Sequence, residues 1–142
     1  MIVVGGVIKK DNKYLLIQEG QECCKGKWNL PAGILEINEN VFDGAKREIY
    51  EECGYEVEID GIATIGNRII SDDNFLVISF STKIIGGNLK YDNEEIIDAR
   101  WFSYDEVIGM QSQLRSYDWI INAITAVENN NVVDKNLIKI IK

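Results

Sequence analysis

The chain has 142 residues, of which 15 are basic and 23 acidic, for a formal net charge of −8. With 46% hydrophobic and 27% charged residues, it reads as one domain over 1–142 with a core of its own. Disorder and low complexity are excluded, and so is a nucleic-acid binder that grips phosphates through basic patches. It contains no histidine, which removes Ser-His-Asp and Cys-His catalysis and every imidazole ligand. Any metal must be held by oxygen, as Mg²⁺ or Mn²⁺ would be.

Ile2–Ile8 and Tyr14–Gln18 are predicted strands, joined by turn chemistry at Asp11-Asn12 as a hairpin. The apolar start is short and soon meets Lys9, Lys10 and Asp11, so neither a signal peptide nor a membrane span is expected. Gly20–Asn29 reads as a polar loop. It carries Cys23 and Cys24; with Cys53 they make three cysteines, two adjacent and none in C-x-x-C spacing. That is neither a disulfide framework nor a zinc site, and a reducing cytoplasm is the expected location. The loop is not a P-loop either, because five residues separate Gly20 from Gly26 and Trp28 follows Lys27 where Ser or Thr is needed.

Leu30-Pro31-Ala32-Gly33 is expected to interrupt regular structure. Asn40 as N-cap, Asp43 three residues on and Gly54 just past the end predict a helix over Val41–Cys53. Tyr55–Ile65 and Asn74–Ile85 are β-rich, the second ended by Gly86-Gly87. Ile96–Phe102 is another strand, and Ser103 with Glu106 is a capping box opening a short helix. A longer helix over Tyr117–Val127 carries Trp119, Ile120, Ala123, Ile124 and Val127 on one face. The tail, Asn129–Lys142, has no pattern that says whether it docks.

On the helix predicted over Val41–Cys53, Phe42, Ala45, Ile49 and Cys53 form a core stripe. Glu48, Glu51 and Glu52 fall on the adjoining arc, about 100° wide. Like charges four apart, such as Glu48 and Glu52, cost about 0.2–0.5 kcal/mol, and a bound divalent cation would reverse the sign. Gly44, on the same arc, costs roughly 0.5–1 kcal/mol against Ala. That is intelligible if another segment or a ligand must come close.

The run Gly33-x5-Glu39-x7-Arg47-Glu48-Ile49-x-Glu51-Glu52-x-Gly54-Tyr55 resembles the box of the Nudix (MutT-type) hydrolases, over 33–55. Every fixed position matches; only the last apolar position, Tyr55, is not aliphatic. A chance match in a chain this long is on the order of one in a million. The flanks Trp28-Asn29-Leu30-Pro31-Ala32-Gly33 and Trp101-Phe102-Ser103 with Asp105-Glu106 resemble segments found on either side of the box in that family.

The resemblance implies an α/β (α+β) fold, the Nudix α/β/α sandwich with a mixed central β-sheet. It implies hydrolysis of a nucleoside diphosphate linked to another group, with Mg²⁺ or Mn²⁺ as cofactor. Glu51 and Glu52 would be metal ligands, and Glu48 a ligand or the water-activating base. Arg47 would orient the glutamates, although its spacing from Glu51 also suits a plain helix-surface ion pair. Gly33, Glu39 and Gly54 would be structural. The carbonyl before the box glycine, here that of Ala32, would join the ligands. A carboxylate from beyond the box would come from Glu94 or Glu95, between which the sequence does not choose, with Asp98 a weaker candidate. The implied partner is a small nucleotide or diphosphate, with no nucleic acid and no membrane; a homodimer, common in the family, is left open. The alternative is a catalytically silent Nudix-fold module that senses a nucleotide or ADP-ribose. Trp28, Trp101 and Cys53 read as packing residues, and Phe75, Tyr117 and Arg68 as candidates to touch a base or sugar.

Overall fold

The computed structural model describes residues Met1–Lys142. Strand β1 (Ile2–Lys10) turns into β2 (Lys13–Glu19) through Asp11 and Asn12, at φ +51° and +62°. This is the pair of left-handed residues that a tight hairpin requires. Two short strands follow, β3 (Trp28–Asn29) and β4 (Ala32–Ile34), and then helix α1 (Val41–Cys53). The long antiparallel pair β5 (Tyr55–Ile70) and β6 (Asp73–Gly87) leads to β7 (Ile96–Ser103), helix α2 (Tyr104–Ile108) and helix α3 (Tyr117–Glu128). The sheet order is β3-β2-β1-β6-β5, with β4 also paired to β1 and β7 to β2. The β1–β6 pair is parallel and the others antiparallel, so the sheet is mixed.

The helices lie on opposite faces of this sheet, which the alternation of side chains along the strands makes plain. Val7, Tyr14 and Leu16 pack with Ile120, Ala123 and Ile124 of α3. Their chain neighbours Ile8, Leu15 and Ile17 pack with Ile49 and Cys53 of α1. Both faces are covered, as in an α/β/α sandwich. The α1 limits agree with their cap residues: Asn40 Oδ1 accepts from Asp43 N at 2.9 Å, and Gly54 closes the helix at φ +81°. The Ser103–Glu106 capping box forms with both of its hydrogen bonds.

Two expectations change and one open point is answered. The Leu30–Gly33 segment does not simply interrupt the structure, because Ala32–Ile34 pairs with Val3–Gly5 of β1. This short strand is stabilised by a distant partner, which local sequence does not reveal. Both long strands outrun their predicted ends, reaching Ile70 and Asp73, because each supplies the other's hydrogen bonds beyond the point where the core ends. The tail docks: Val133 exchanges backbone hydrogen bonds with Ile62 at 2.7 and 2.9 Å, and Lys135 Nζ donates to Ile59 O at 3.0 Å.

Strand β1 shapes the end of the fold where the cleft lies. It changes partner along its length, pairing with β4 over Val3–Gly5 and with β2 at Lys9–Lys10. Gly5 sits at the change, where a Cβ would overlap the Pro31 carbonyl and the Ala32 side chain. The sheet therefore forks, and the end of β2, strand β4 and helix α1 all reach one cleft.

Candidate active site

The cleft has a volume of about 1200 Å³. One wall is acidic: Glu48 and Glu52 from α1, Glu19 from the end of β2, and Glu95 from the approach to β7 all line it. The opposite wall comes from the β5–β6 arm, including Asn67, Arg68 and Phe75, and from α3, including Trp119 and Asn122.

Arg47 organises the outer side of the acidic wall. Its Nε and Nη2 donate to the two oxygens of Glu39 at 2.6 and 2.9 Å, a forked pair. Nη1 donates to Glu48 Oε1 at 2.7 Å and to Glu51 Oε2 at 3.2 Å. Nη2 also reaches the Ile34 carbonyl at 3.3 Å, which ties the helix to β4. Hydrogen bonding to Arg47 holds the Glu39 carboxyl below the ordinary carboxylate range.

Glu48 and Glu52 lie one helical turn apart on the cleft side of α1. Burial pushes the Glu48 carboxyl upward, opposed by its hydrogen bond to Arg47. Burial pushes Glu52 much further, and the charges of Glu19, Glu48 and Glu95 add to it. The one protein group that favours ionised Glu52 is the backbone of Ala32, whose N–H donates to Glu52 Oε1 at 2.8 Å. The bonds Gly6 N–Pro31 O at 3.1 Å and Leu35 N–Ile2 O at 2.9 Å flank the β1–β4 pairing. The alternation of an antiparallel ladder then turns both the N–H and the C=O of Ala32 away from β1, along the edge that meets Glu52.

Two glycines have clear steric causes. A Cβ on Gly33 would overlap the carboxyl of Glu48, so the missing side chain is the place where that carboxyl lies. A Cβ on Gly44 would stand 2.6 Å from Leu35 Cδ1 and 2.9 Å from Glu39 Oε1. The close approach that the mid-helix glycine implied is thus made by the 35–39 segment.

The remaining expected residues separate. The Glu51 side chain is 56% exposed and meets Arg47, so of the three box glutamates Glu48 and Glu52 line the cleft and Glu51 does not. Glu95 lines the cleft and Glu94 does not. Asp98 is engaged by Arg100 at 2.8 Å and by the Ala99 N–H. Phe75 and Arg68 face the cleft, whereas the Tyr117 hydroxyl donates to the Ile108 carbonyl at 3.1 Å, outside its lining. Trp28 is buried against Phe102, with ring centroids 5.1 Å apart, and Trp101 packs on Tyr55 at 6.2 Å. Trp119 was expected in the core stripe, but it stands half-buried with its indole N–H on Ser79 Oγ at 2.7 Å, lining the cleft. Burial pushes the thiols of Cys24 and Cys53 up to about 12, which leaves neither activated as a nucleophile.

Glu19 is the functional candidate that sequence reasoning missed. It is only 6% exposed, and its one sequence signal is an acid closing the apolar run Tyr14–Ile17. Its oxygens receive Asn29 Nδ2 at 3.3 Å, Cys24 Sγ at 3.7 Å and Arg115 Nη1 at 3.5 Å. A second unanticipated group is Thr64 Oγ1, a buried hydroxyl on the cleft wall with no hydrogen-bond partner.

These donors suit a hard divalent cation. They are carboxylates and one backbone carbonyl, they are partly desolvated, and they are crowded enough that charge repulsion raises Glu52. No three carboxylates close around one point as a finished cage, and Arg47 holds Glu48 and Glu51 by their oxygens.

The family model of the NUDIX domain matches residues 1–121. The chain belongs to the Nudix family. It is 30% identical over 120 residues to the human 8-oxo-dGDP phosphatase NUDT18, covering 82% of this chain and 35% of that protein. It is 37% identical over 91 residues to an ADP-ribose pyrophosphatase from Methanocaldococcus jannaschii, covering 63% of this chain and 54% of the relative. Among solved structures, a NUDIX hydrolase from Nitrosomonas europaea superposes with a TM-score of 0.83 at 25% identity, covering 99% of this chain and 96% of that one. The chain spans about a third of the length of the first curated relatives it matches.

Proposed function

We propose that this Nudix chain is a metal-dependent pyrophosphohydrolase that cleaves the diphosphate link of a nucleoside diphosphate derivative. The observation that carries this reading is the pair Glu48 and Glu52, held half-buried on one side of α1 against β4 and raised by burial. Arg47 reaches only one oxygen of Glu48 and Glu52 has no cationic partner, so a divalent cation held between them would offset both charges. Glu52, Glu48 and the Ala32 carbonyl would hold Mg²⁺ or Mn²⁺, with Glu95 as the contribution from beyond the box. When bound, the cation would neutralise diphosphate charge and lower the pKa of a water.

The chain's own residues supply the rest. Glu48 serves as a ligand or as the group that accepts the water's proton, and Arg47 fixes its rotamer from the outer side. Glu51 acts from the same outer side through Arg47. Water adds its oxygen to one phosphorus, the P–O bond of the anhydride breaks, and the departing phosphate leaves with the bonding electron pair. No covalent nucleophile is required.

The relatives named for 8-oxo-dGDP and for ADP-ribose both carry diphosphates in their named substrates, and that class is the one proposed here. The partner is thus a small molecule, and the expected compartment is the cytoplasm. The test is product analysis on 8-oxo-dGDP, ADP-ribose, canonical nucleoside triphosphates and diadenosine polyphosphates, each with Mg²⁺, with Mn²⁺ and with chelator. Metal-dependent cleavage of a diphosphate is the expected result. Tight, chelator-resistant binding of one compound with no cleavage of any would overturn the enzyme and favour a sensor module.

A further inference from the structure

We infer that Arg115, on the lining of the cleft that also holds Glu52, is the residue that binds the substrate's phosphate oxygens, and that buried Glu19 positions it. The inference rests on the hydrolase reading above and extends it to a residue far outside the box. Only two cationic side chains line the cleft, Arg68 and Arg115. Arg47 is not among them, and its guanidinium is already engaged by Glu39, Glu48, Glu51 and the Ile34 carbonyl.

Arg115 differs from both. It lies just before α3, and its backbone N–H donates to the Trp28 carbonyl at 2.8 Å, which fixes the main chain. Its guanidinium has a single ion pair, Nη1 to Glu19 Oε2 at 3.5 Å, and its side chain is 40% exposed. A guanidinium carries five donors, so most of them remain available to the cleft. Glu19 in turn is anchored by Asn29, itself 4% exposed. One buried carboxylate thus holds one side of the arginine and leaves the other side free. Arg68 has no such anchor, and its place on the exposed arm suits the far end of a ligand.

The charge arithmetic points the same way. A cation held by Glu48 and Glu52 would neutralise only part of a diphosphate, and the cleft lining carries four more carboxylates, Glu19, Glu36, Glu95 and Asp118. An anionic chain entering there needs a positive group facing it, and Arg115 is the one in contact with the acidic wall.

The competing account is that Arg115 merely neutralises Glu19. A double-mutant cycle separates the two. The readouts are calorimetric binding of α,β-methylene-ADP with Mg²⁺, KM for whichever panel compound the protein cleaves, and Mn²⁺ binding without nucleotide. Arg115→Gln is expected to weaken analogue binding and raise KM by about 10- to 100-fold, with Arg115→Lys recovering part of the loss and Mn²⁺ binding retained. Glu19→Gln alone, which removes the anchor, is expected to weaken analogue binding by a smaller factor, and Arg115→Gln is expected to weaken it further in that background, though by less than in the wild type. If Arg115→Gln has no effect, or its effect disappears once Glu19 is Gln, the arginine is a structural counter-charge and the inference is overturned while the hydrolase reading stands. A wild-type protein that neither cleaves the panel nor binds the analogue overturns both.

Discussion

The two walls of the cleft are built by different means. The acidic wall is centred on a short piece of sequence folded on itself, α1 with its cap residues and the 33–39 segment, which Glu19 and Glu95 join from the end of β2 and the approach to β7. Arg47 is the hub of its outer side, engaging Glu39, Glu48 and Glu51. The opposite wall is an arm of β5 and β6 that runs past the core, joined by the start of α3. There Ile69 is 75% exposed, Thr64 Oγ1 lacks a partner, and Arg68 has no ion pair. A wall that is rigid and charged suits the part of a substrate that never changes, the diphosphate and its cation. A wall that is loosely packed and mixed in chemistry suits the part that differs between substrates.

Substitutions on the first wall should therefore affect rate and stability, and those on the second should affect KM alone. The largest effect belongs to Glu52→Gln, which should lower turnover by about 10²- to 10⁴-fold in a steady-state assay while circular dichroism stays native. Arg47→Gln comes next. It strands Glu39 and Glu48 without their partner, and it should cost about 2–4 kcal/mol in urea unfolding as well as activity. Gly44→Ala is the sharper test of packing. An exposed helix would gain about 1 kcal/mol from this change, but the contacts of a Cβ with Leu35 and Glu39 should make it lose about 1–2 kcal/mol. At the small end, Phe75→Ala should raise KM a few-fold, and Ile69→Thr should move stability by no more than about 0.5 kcal/mol.

The pH dependence separates the walls in another way. Glu52 is raised well above the ordinary value of 4.5, by burial first and then by neighbouring carboxylates. The folded state keeps its proton longer than the unfolded chain does. The stability associated with that proton is full below 4.5 and is lost as pH rises through the folded-state value. In chelator, the melting temperature of the wild type should fall relative to Glu52→Gln as pH rises from about 4.5, and Mg²⁺ should close the difference. A wild type that gains on Glu52→Gln over that range would show that the carboxylate is already satisfied by the protein.

The same contrast explains what the sequence made legible. Cap residues act within one helical turn, so Asn40 and Gly54 marked α1 to the residue, and Gly44 correctly announced a close approach. The spacing of Glu48 and Glu52 placed both on the side of α1 that meets β4. It could not show that Arg47 draws Glu51 outward, because that depends on where Glu39 and Ile34 lie. Strand β4 was hidden behind Pro31 because its only partner is the start of the chain. Glu19 and Arg115 were hidden for the same reason: each is an ordinary charged residue until the fork in β1 and the start of α3 bring them together. Trp119 has the helical spacing of a core residue, and only the hydrogen bond of its indole to Ser79 reveals that it stands at the cleft.

The most direct test of the central claim is a Mn²⁺ titration, followed by electron paramagnetic resonance, of the wild type and Glu52→Gln at neutral pH with no nucleotide present. If α1 and β4 form the cation site, the wild type binds Mn²⁺ and the variant binds at least about tenfold more weakly with its fold intact. Equal affinity in the two proteins would contradict the account, because a box carboxylate that lines the cleft against β4 would then have no part in holding the metal.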